Sequence, residues 1–229
     1  YYTLNEKNIF ALEVQHLIKD EDPFYNAILE NNINYQATAQ GLGLDNSLDY
    51  FNIAQDKRVK SNQLDSKLDY WNILSLKSDL NITIGYIYSK QEFNSDIFQF
   101  LSLTNTDIYN PIPSVNDGLN YNDINYLFND IYFGLHYRLK TGKFTISPGF
   151  TAHAYATENI QLQPIDSESS NYKKSFFKFL PDFNMIIQLK DSESLTLNYA
   201  MRTQFTDVTK IARGLVLNNY NSIFIGNED

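Results

Sequence analysis

The sequence contains no cysteine. A disulfide framework, a thiolate nucleophile and a cysteine-ligated zinc site are thereby excluded. Basic residues are scarce: 18 Lys and Arg stand against 27 Asp and Glu, a formal net charge of −9. A nucleic-acid backbone, which requires clustered Lys and Arg, is not an expected partner. No stretch approaches the ~18–20 consecutive apolar residues of a transmembrane helix. The first residues, YYTLNEKN, have neither the basic start nor the apolar run of a secretory signal. The expectation is that a signal was removed or that the chain is an internal piece of a longer one.

What is present is aromatic and alternating. The 229 residues include 17 Tyr and 16 Phe, yet the mean hydropathy is only −0.38. The stretch DIYFGLHYRLKTGKFTISPGFTA (130–152) shows how both hold. Apolar residues fall at Ile131, Phe133, Leu135, Tyr137 and Leu139, then at Phe144, Ile146, Pro148, Phe150 and Ala152. Tyr132, Gly134, His136 and Arg138, then Thr145, Ser147, Gly149 and Thr151, occupy the other face. A hairpin turning at Thr141-Gly142 pairs 137 with 146, 135 with 148 and 133 with 150, and sets His136 opposite Ser147. Pro148 reads as a bulge or edge feature.

The same pattern recurs. Phe183, Met185, Ile187 and Leu189 alternate before a polar turn, and Leu195, Leu197, Tyr199 and Met201 follow it. Leu74 and Leu76 precede a turn at 77–79, and Leu80, Ile82, Ile84, Tyr86 and Tyr88 follow. Phe10, Leu12 and Val14 precede a turn read around 19–23, at DEDPF, followed by Ile33, Tyr35, Ala37 and Ala39. This gives an all-β chain of about eight long antiparallel strands in hairpins. Short turns alternate with long polar connections at 41–65, 92–123, 158–174 and 206–220. That asymmetry, with one apolar and one polar face, is the pattern of transmembrane β-barrel strands, each needing only ~9–11 residues to cross. Tyrosines toward strand ends fit an interfacial girdle. A soluble sandwich or open sheet with one packed face is the competing reading, although its strands are ordinarily nearer five or six residues.

Beyond Phe176 the residues become more specific. Leu180-Pro181 opens a strand, Lys190 to Ser194 form a polar turn, and Tyr199 to Arg202 close the next strand as Tyr-x-x-Arg. An Asn-rich stretch from Asn218 to Asn221 and Gly226-Asn227 follow. Together with LHYRLKTGKFTISPGF, these resemble the barrel of TonB-dependent outer-membrane receptors of the Bacteroidetes type, over about 124–229. The resemblance implies residues 1–229 as one partial domain of a larger, 22-stranded barrel in the bacterial outer membrane. It also implies ligand uptake energised by a TonB complex, with a surface lipoprotein as a further partner, or service in an envelope complex. Neither the plug nor a final strand of that family is recognised in this sequence, which reads as a middle portion. The alternatives are a complete eight-stranded barrel acting as adhesin or structural anchor, and a soluble β-rich binding module.

Chemistry-bearing groups are few. Of the histidines His16, His136 and His153, the last falls near Asp130 on the polar face. A His–Asp pair without a Ser or Cys nucleophile reads as wall structure rather than as an acid–base device. No catalytic residue, metal site or cofactor is expected, and the chain is read as a non-enzyme. Asp20-Glu21-Asp22, Asp166-Ser-Glu168 and SVNDGLNYNDIN (114–125) read as solvated turns and loops. Tyr109, Tyr121 and Tyr126 read as loop aromatics. The ligand-binding candidates are the polar-face residues His136, Arg138 and Arg202, and outer-membrane lipid is the partner of the apolar face.

Overall fold

The computed structural model describes residues 2–30, 50–101, 109–111, 121–162, 169–205, 208–219 and 222–226. Ten strands form one antiparallel sheet. They are β1 (Tyr2–Asn5), β2 (Asn8–Glu21), β3 (Phe24–Glu30), β4 (Tyr50–Ser75), β5 (Ser78–Phe100), β6 (Tyr109–Pro111), β7 (Tyr121–Thr141), β8 (Phe144–Leu162), β9 (Ser169–Lys190) and β10 (Glu193–Ala200). The order is β1-β2-β4-β5-β7-β8-β9-β10, with β3 on β4 and β6 on β5, so eight positions run across the sheet. A 3-10 turn (Val208–Ile211) and a second hairpin, β11 (Leu215–Asn219) and β12 (Ser222–Ile225), follow. Among the described residues β1 and β10 do not pair with each other, so the sheet is an open wall.

Among the described residues four tight turns, at 6–7, 76–77, 142–143 and 191–192, lie on one edge of the sheet. Local chemistry closes them. Asn5 Oδ1 accepts the Lys7 N–H at 3.0 Å, and Ser75 Oγ accepts that of Lys77 at 3.1 Å, side-chain mimics of a backbone turn. Gly142 has φ 55°, a conformation glycine adopts without a Cβ clash.

Cross-strand registry divides the side chains into two faces. One carries the apolar stripe: Phe10 to Ile18 on β2, Leu80 to Tyr88 on β5, Ile131 to Leu139 on β7, Phe144 to Ala154 on β8 and Phe177 to Leu189 on β9. Its members stand out from the wall, with Leu12 70 %, Ile131 61 % and Phe177 67 % exposed. Nine residues tilted ~40° rise about 23 Å, close to the ~25 Å apolar band of an outer-membrane barrel. Tyr70 and Tyr86 mark its margins, donating to Asn8 Oδ1 (2.6 Å) and Asn129 Oδ1 (2.8 Å). Away from the tight turns the stripe ends on a row of cross-strand partners, Asn62, Lys90, Leu127, Glu158 and Lys173.

Four expectations are corrected. The chain does not reverse at 19–23. Glu21 pairs with Val59 and Phe24 with Asp56 in unbroken registry, so β2 and β3 run as one edge strand interrupted at Pro23. Proline lacks an N–H but keeps its carbonyl, which accepts from Lys57 N at 3.3 Å. Asp20-Glu21-Asp22 therefore belongs to this strand or its brief interruption, not to a turn. The residues Ile33 to Ala39 lie outside the described ones.

Second, the reversal is at Gly142-Lys143, which pairs Leu139 with Ile146 and Leu135 with Phe150. The slip is two residues, so no side chain changes face. Third, Pro148 sits in an interior strand. It is tolerated because the β7–β8 ladder skips Tyr137 and Arg138 while registry on either side is unchanged. Fourth, much of 41–65, 92–123 and 158–174 is strand. β4 begins at Tyr50, β5 runs to Phe100, β7 starts at Tyr121, and β8 and β9 leave only 163–168 between them. On the outer face these extensions carry Arg58, Lys60, Glu92, Asn94, Asp123 and Asn125 because they project beyond the apolar band, not because they are loops, while their inner face carries buried Ile53, Phe93, Ile97 and Ile124. Tyr121 and Tyr126 thus lie on β7 and Tyr109 on β6, while Asp166 and Glu168 lie outside the described residues.

Candidate functional site

The face opposite the apolar stripe is the candidate site. It carries Asp69, Asp79, Thr83, Asp130, His136, Arg138, Thr151, His153, Asp182 and Asn198, brought together from six strands by registry. Asp69 accepts from Thr83 Oγ1 at 2.5 Å and meets Lys67 Nζ at 3.4 Å. Arg138 Nε donates to Asp79 Oδ2 at 2.7 Å. This part of the wall is laced by charge pairs.

His136 lies opposite Gly149, not Ser147, and that glycine is what lets the ring lie flat on the wall. A Cβ on Gly149 would come 2.1 Å from His136 Cδ2. In the space so left, His136 Nε2 reaches Asp182 Oδ2 on β9, 3.0 Å away. Gly85 does the same for Tyr132, whose ring would meet a Cβ at 2.0 Å. His153 Nδ1 lies 2.8 Å from Asp130 Oδ2, as the alternation predicts. Its ring stacks between Tyr132 (5.3 Å) and Tyr155 (5.1 Å). Held on both faces and at Nδ1, this imidazole is a rigid part of the wall.

An open groove of about 710 Å³ runs along β8, β9 and β10, lined by Thr151, His153, Tyr155, Asp182, Asn198 and Arg202 among others. The three sequence candidates thus part company. His136 and Arg138 are each committed to an aspartate. Arg202, just past β10, lines the groove and makes no ion pair among the described residues. No group of three or more His, Asp or Glu among the described residues is arranged to hold a metal ion.

A second feature of this face was not legible as a site. After β10 the chain turns onto the wall. Phe205 packs its ring 4.6 Å from Phe128 and 4.8 Å from Tyr155. Val208, Ile211, Ala212 and Val216 then bury against Phe93 and Ile124. Three wall amides grip the passing main chain. Gln161 donates to Ile211 O (2.8 Å) and accepts from Arg213 N (3.2 Å). Asn122 donates to Leu215 O (3.1 Å) and accepts from Gly214 N (2.8 Å). Gln55 accepts from Leu217 N at 2.9 Å. Lys57 donates to Leu217 O from beneath, and burial there lowers its amine below the ordinary lysine range. The region expected as a loop at 206–220 is, in its described part, an ordered strap on the inner wall.

One apolar outer face, one charge-laced inner face and, among the described residues, tight turns on one edge of the sheet define the architecture. No family model and no curated protein matches the chain. Among solved structures it is similar to the ferric citrate transporter FecA in its unliganded form, with a TM-score of 0.53 and 14 % identity. The chain has the fold of an outer-membrane barrel wall. The match covers 86 % of this chain and 25 % of that one, so the chain spans about a quarter of the transporter's length.

Proposed function

We propose that this chain is wall from a TonB-dependent outer-membrane receptor of the Bacteroidetes type, part of a 22-stranded barrel, resident in the bacterial outer membrane and without enzymatic activity. Its work is ligand uptake, or support of an envelope complex. Outer-membrane lipid is its direct partner. A TonB complex and a surface lipoprotein are partners through other parts of the same receptor. Of the three polar-face candidates, Arg202 is assigned to ligand contact, since it lines the groove and has no acid partner among the described residues. His136 and Arg138 are assigned to the wall.

The observation that carries this reading is the coincidence of a lipid-height apolar stripe with the tight turns of the sheet, among the described residues, on one edge, in a chain whose fold is like a quarter of a transporter. A soluble module is disfavoured by the stripe itself: rows of exposed Leu, Ile and Phe on one face are an aggregation hazard in water. A complete eight-stranded barrel is disfavoured by the eight positions running from β1 to β10 without closing among the described residues.

The test is the size of the fully denatured polypeptide carrying these peptides, recovered from salt-washed outer membranes. A band several times heavier than 26.6 kDa is expected. A band near 26.6 kDa would overturn the receptor reading in favour of a small closed barrel. Release by the salt wash would overturn the membrane assignment.

A further inference from the structure

The inner face is not uniform in charge. Registry places Glu13, Asp65, Asp69, Asp79 and Asp130 on its β2 to β7 side. On β8 every second residue from Thr145 to Gln161 belongs to this face, and none is acidic. On β9, from Ser170 to Gln188, Asp182 is the one carboxylate of the face, against Lys174 and Lys178. Arg202 adds a third cation. Met201 N donates to Pro181 O at 3.2 Å, which carries the β9–β10 registry past Ala200 and sets Arg202 beside Leu180. The β8 to β10 side is therefore positive inside, in a chain of net charge −9. Asp182 is already held by His136, and Lys174, Lys178 and Arg202 make no ion pair among the described residues.

The groove along β8, β9 and β10 opens on this surface. Neutral donors accompany Arg202 there. Asn198 Oδ1 accepts from Asn184, which leaves Asn198 Nδ2 to donate, and Thr151 stands in the Arg202 row across Leu180. Lys178 is one row on, the cross-strand partner of His153, with its ammonium 6.0 Å from the Phe176 ring at the edge of the cation–π range. Residues of one face are about 6.8 Å apart along a strand, and strands about 4.8 Å apart. Lys178 and Arg202 thus leave the backbone roughly 8 Å from each other, near enough for both to reach one bound group. A phosphate monoester brings about 1.5–2 negative charges and three strong acceptor oxygens, which matches two cations and donors arriving from several directions. A carboxylate brings one charge in one plane, and a single guanidinium fork satisfies it.

Resting on the assignment of Arg202 to ligand contact above, we propose that the groove takes the phosphate of a small phosphorylated solute, such as a sugar phosphate, between Arg202 and Lys178. Thr151 and Asn198 donate to the remaining oxygens. The carboxylates of β2 to β7 repel the same group, so the charge pattern of the wall directs it to this side.

The test uses the whole protein carrying this wall, purified in detergent, and titrates it calorimetrically with glucose 6-phosphate, gluconate and glucose. Glucose 6-phosphate is expected to bind at least about tenfold more tightly than gluconate, and glucose not measurably. Arg202→Gln and Lys178→Gln are each expected to weaken glucose 6-phosphate by about tenfold, while Lys178→Arg retains it. Heat-modifiable mobility monitors folding in every variant. Equal binding of gluconate would overturn the proposal in favour of a carboxylate site, and equal binding of glucose in favour of a neutral polyol site. Undiminished binding by either folded Gln variant would overturn it as well, as would a folded parent that binds none of the three. Failure of the underlying reading shows separately: a protein released from membranes by salt refutes the membrane assignment, whatever the titrations give.

Discussion

Phe133 and Thr151 lie at nearly the same height on neighbouring strands but on opposite faces, since Phe133 pairs with Ala152 and Gly134 with Thr151. Substituting Arg at each position in the full-length protein tests the assignment of faces directly. Phe133 is 40 % exposed on the apolar side, and its ring lies 6.3 Å from that of Phe150. It sits two residues from Leu135, the middle of the β7 stripe, or about 5 Å from the midplane once the strand is tilted. Arg at the midplane of such a barrel costs about 2–4 kcal/mol, less toward the interfaces. Loss of the aromatic contact adds about 0.5–1.5 kcal/mol. The total expected for Phe133→Arg is about 3 kcal/mol, or more than a hundredfold in the folding equilibrium.

Thr151→Arg places the same charge on a face that already holds Arg138, Lys67 and several carboxylates, and is expected to cost less than about 1 kcal/mol. The assay is reversible denaturant unfolding in lipid vesicles, with heat-modifiable mobility reporting assembly. A small loss at Phe133 with a large one at Thr151 would invert the faces. Equal losses at both would mean that the stripe does not meet hydrocarbon at all.

Three other outcomes follow from single contacts. Gly149→Ala is expected to cost about 1–3 kcal/mol by driving His136 off Asp182, and little in a His136→Ala background; additive losses in the double-mutant cycle would refute the close-approach argument. Gln161→Leu leaves Ile211 O and Arg213 N without their wall partner, a loss of about 1–3 kcal/mol confined to the strap. Hydrogen exchange is expected to quicken at Arg213 while amides of β7 and β8 are unaffected; quickening of both would mean the strap and wall unfold together. Partial desolvation, with the carboxylates of Asp22 and Asp96 beside it, holds the Asp56 carboxyl above its ordinary 3.8. A folded pKa above the unfolded one contributes stability below 3.8 that is lost as pH rises through the folded value. Asp56→Asn is therefore expected to raise the denaturation midpoint at neutral pH and to leave it unchanged in strong acid, where a persisting gain would point to packing instead.

The apolar stripe was legible because lipid imposes a rule on every second residue, and Ile131 to Leu139 or Phe144 to Ala152 obey it regardless of their partners. Faces follow from parity alone, which is why placing the turn at Thr141-Gly142 instead of Gly142-Lys143 misassigned every pair yet left every side chain on its proper side. Beyond the stripe that rule lapses. Outside the stripe the outer face carries Arg58, Lys60, Asn62, Lys90, Glu92 and Asn94, so this polarity reads as loop although the backbone continues the ladder. Pro23 reads as a turn because its ring forbids an N–H bond, and nothing local shows that it stands on an edge where that bond is dispensable.

The polar face was legible by composition and not by partner. His153 and Asp130 were matched because both lie in one hairpin. His136 was not matched to Asp182, because that contact passes over Gly149 to a third strand, and the sequence signal for it is only a glycine in an otherwise regular run. The strap is harder still. Gln55, Asn122 and Gln161 are ordinary polar-face residues, and the main chain they hold lies 50 to 162 positions away. Side-chain amides suit this role because each presents a donor and an acceptor to a passing peptide, as a neighbouring strand would. An ionised carboxylate there, which only accepts, satisfies half of each pair. The strap is thus fixed by the same hydrogen-bond logic that builds the sheet, applied across the wall rather than along it. That is why Gln161→Leu, rather than a charge reversal, is the substitution that isolates it.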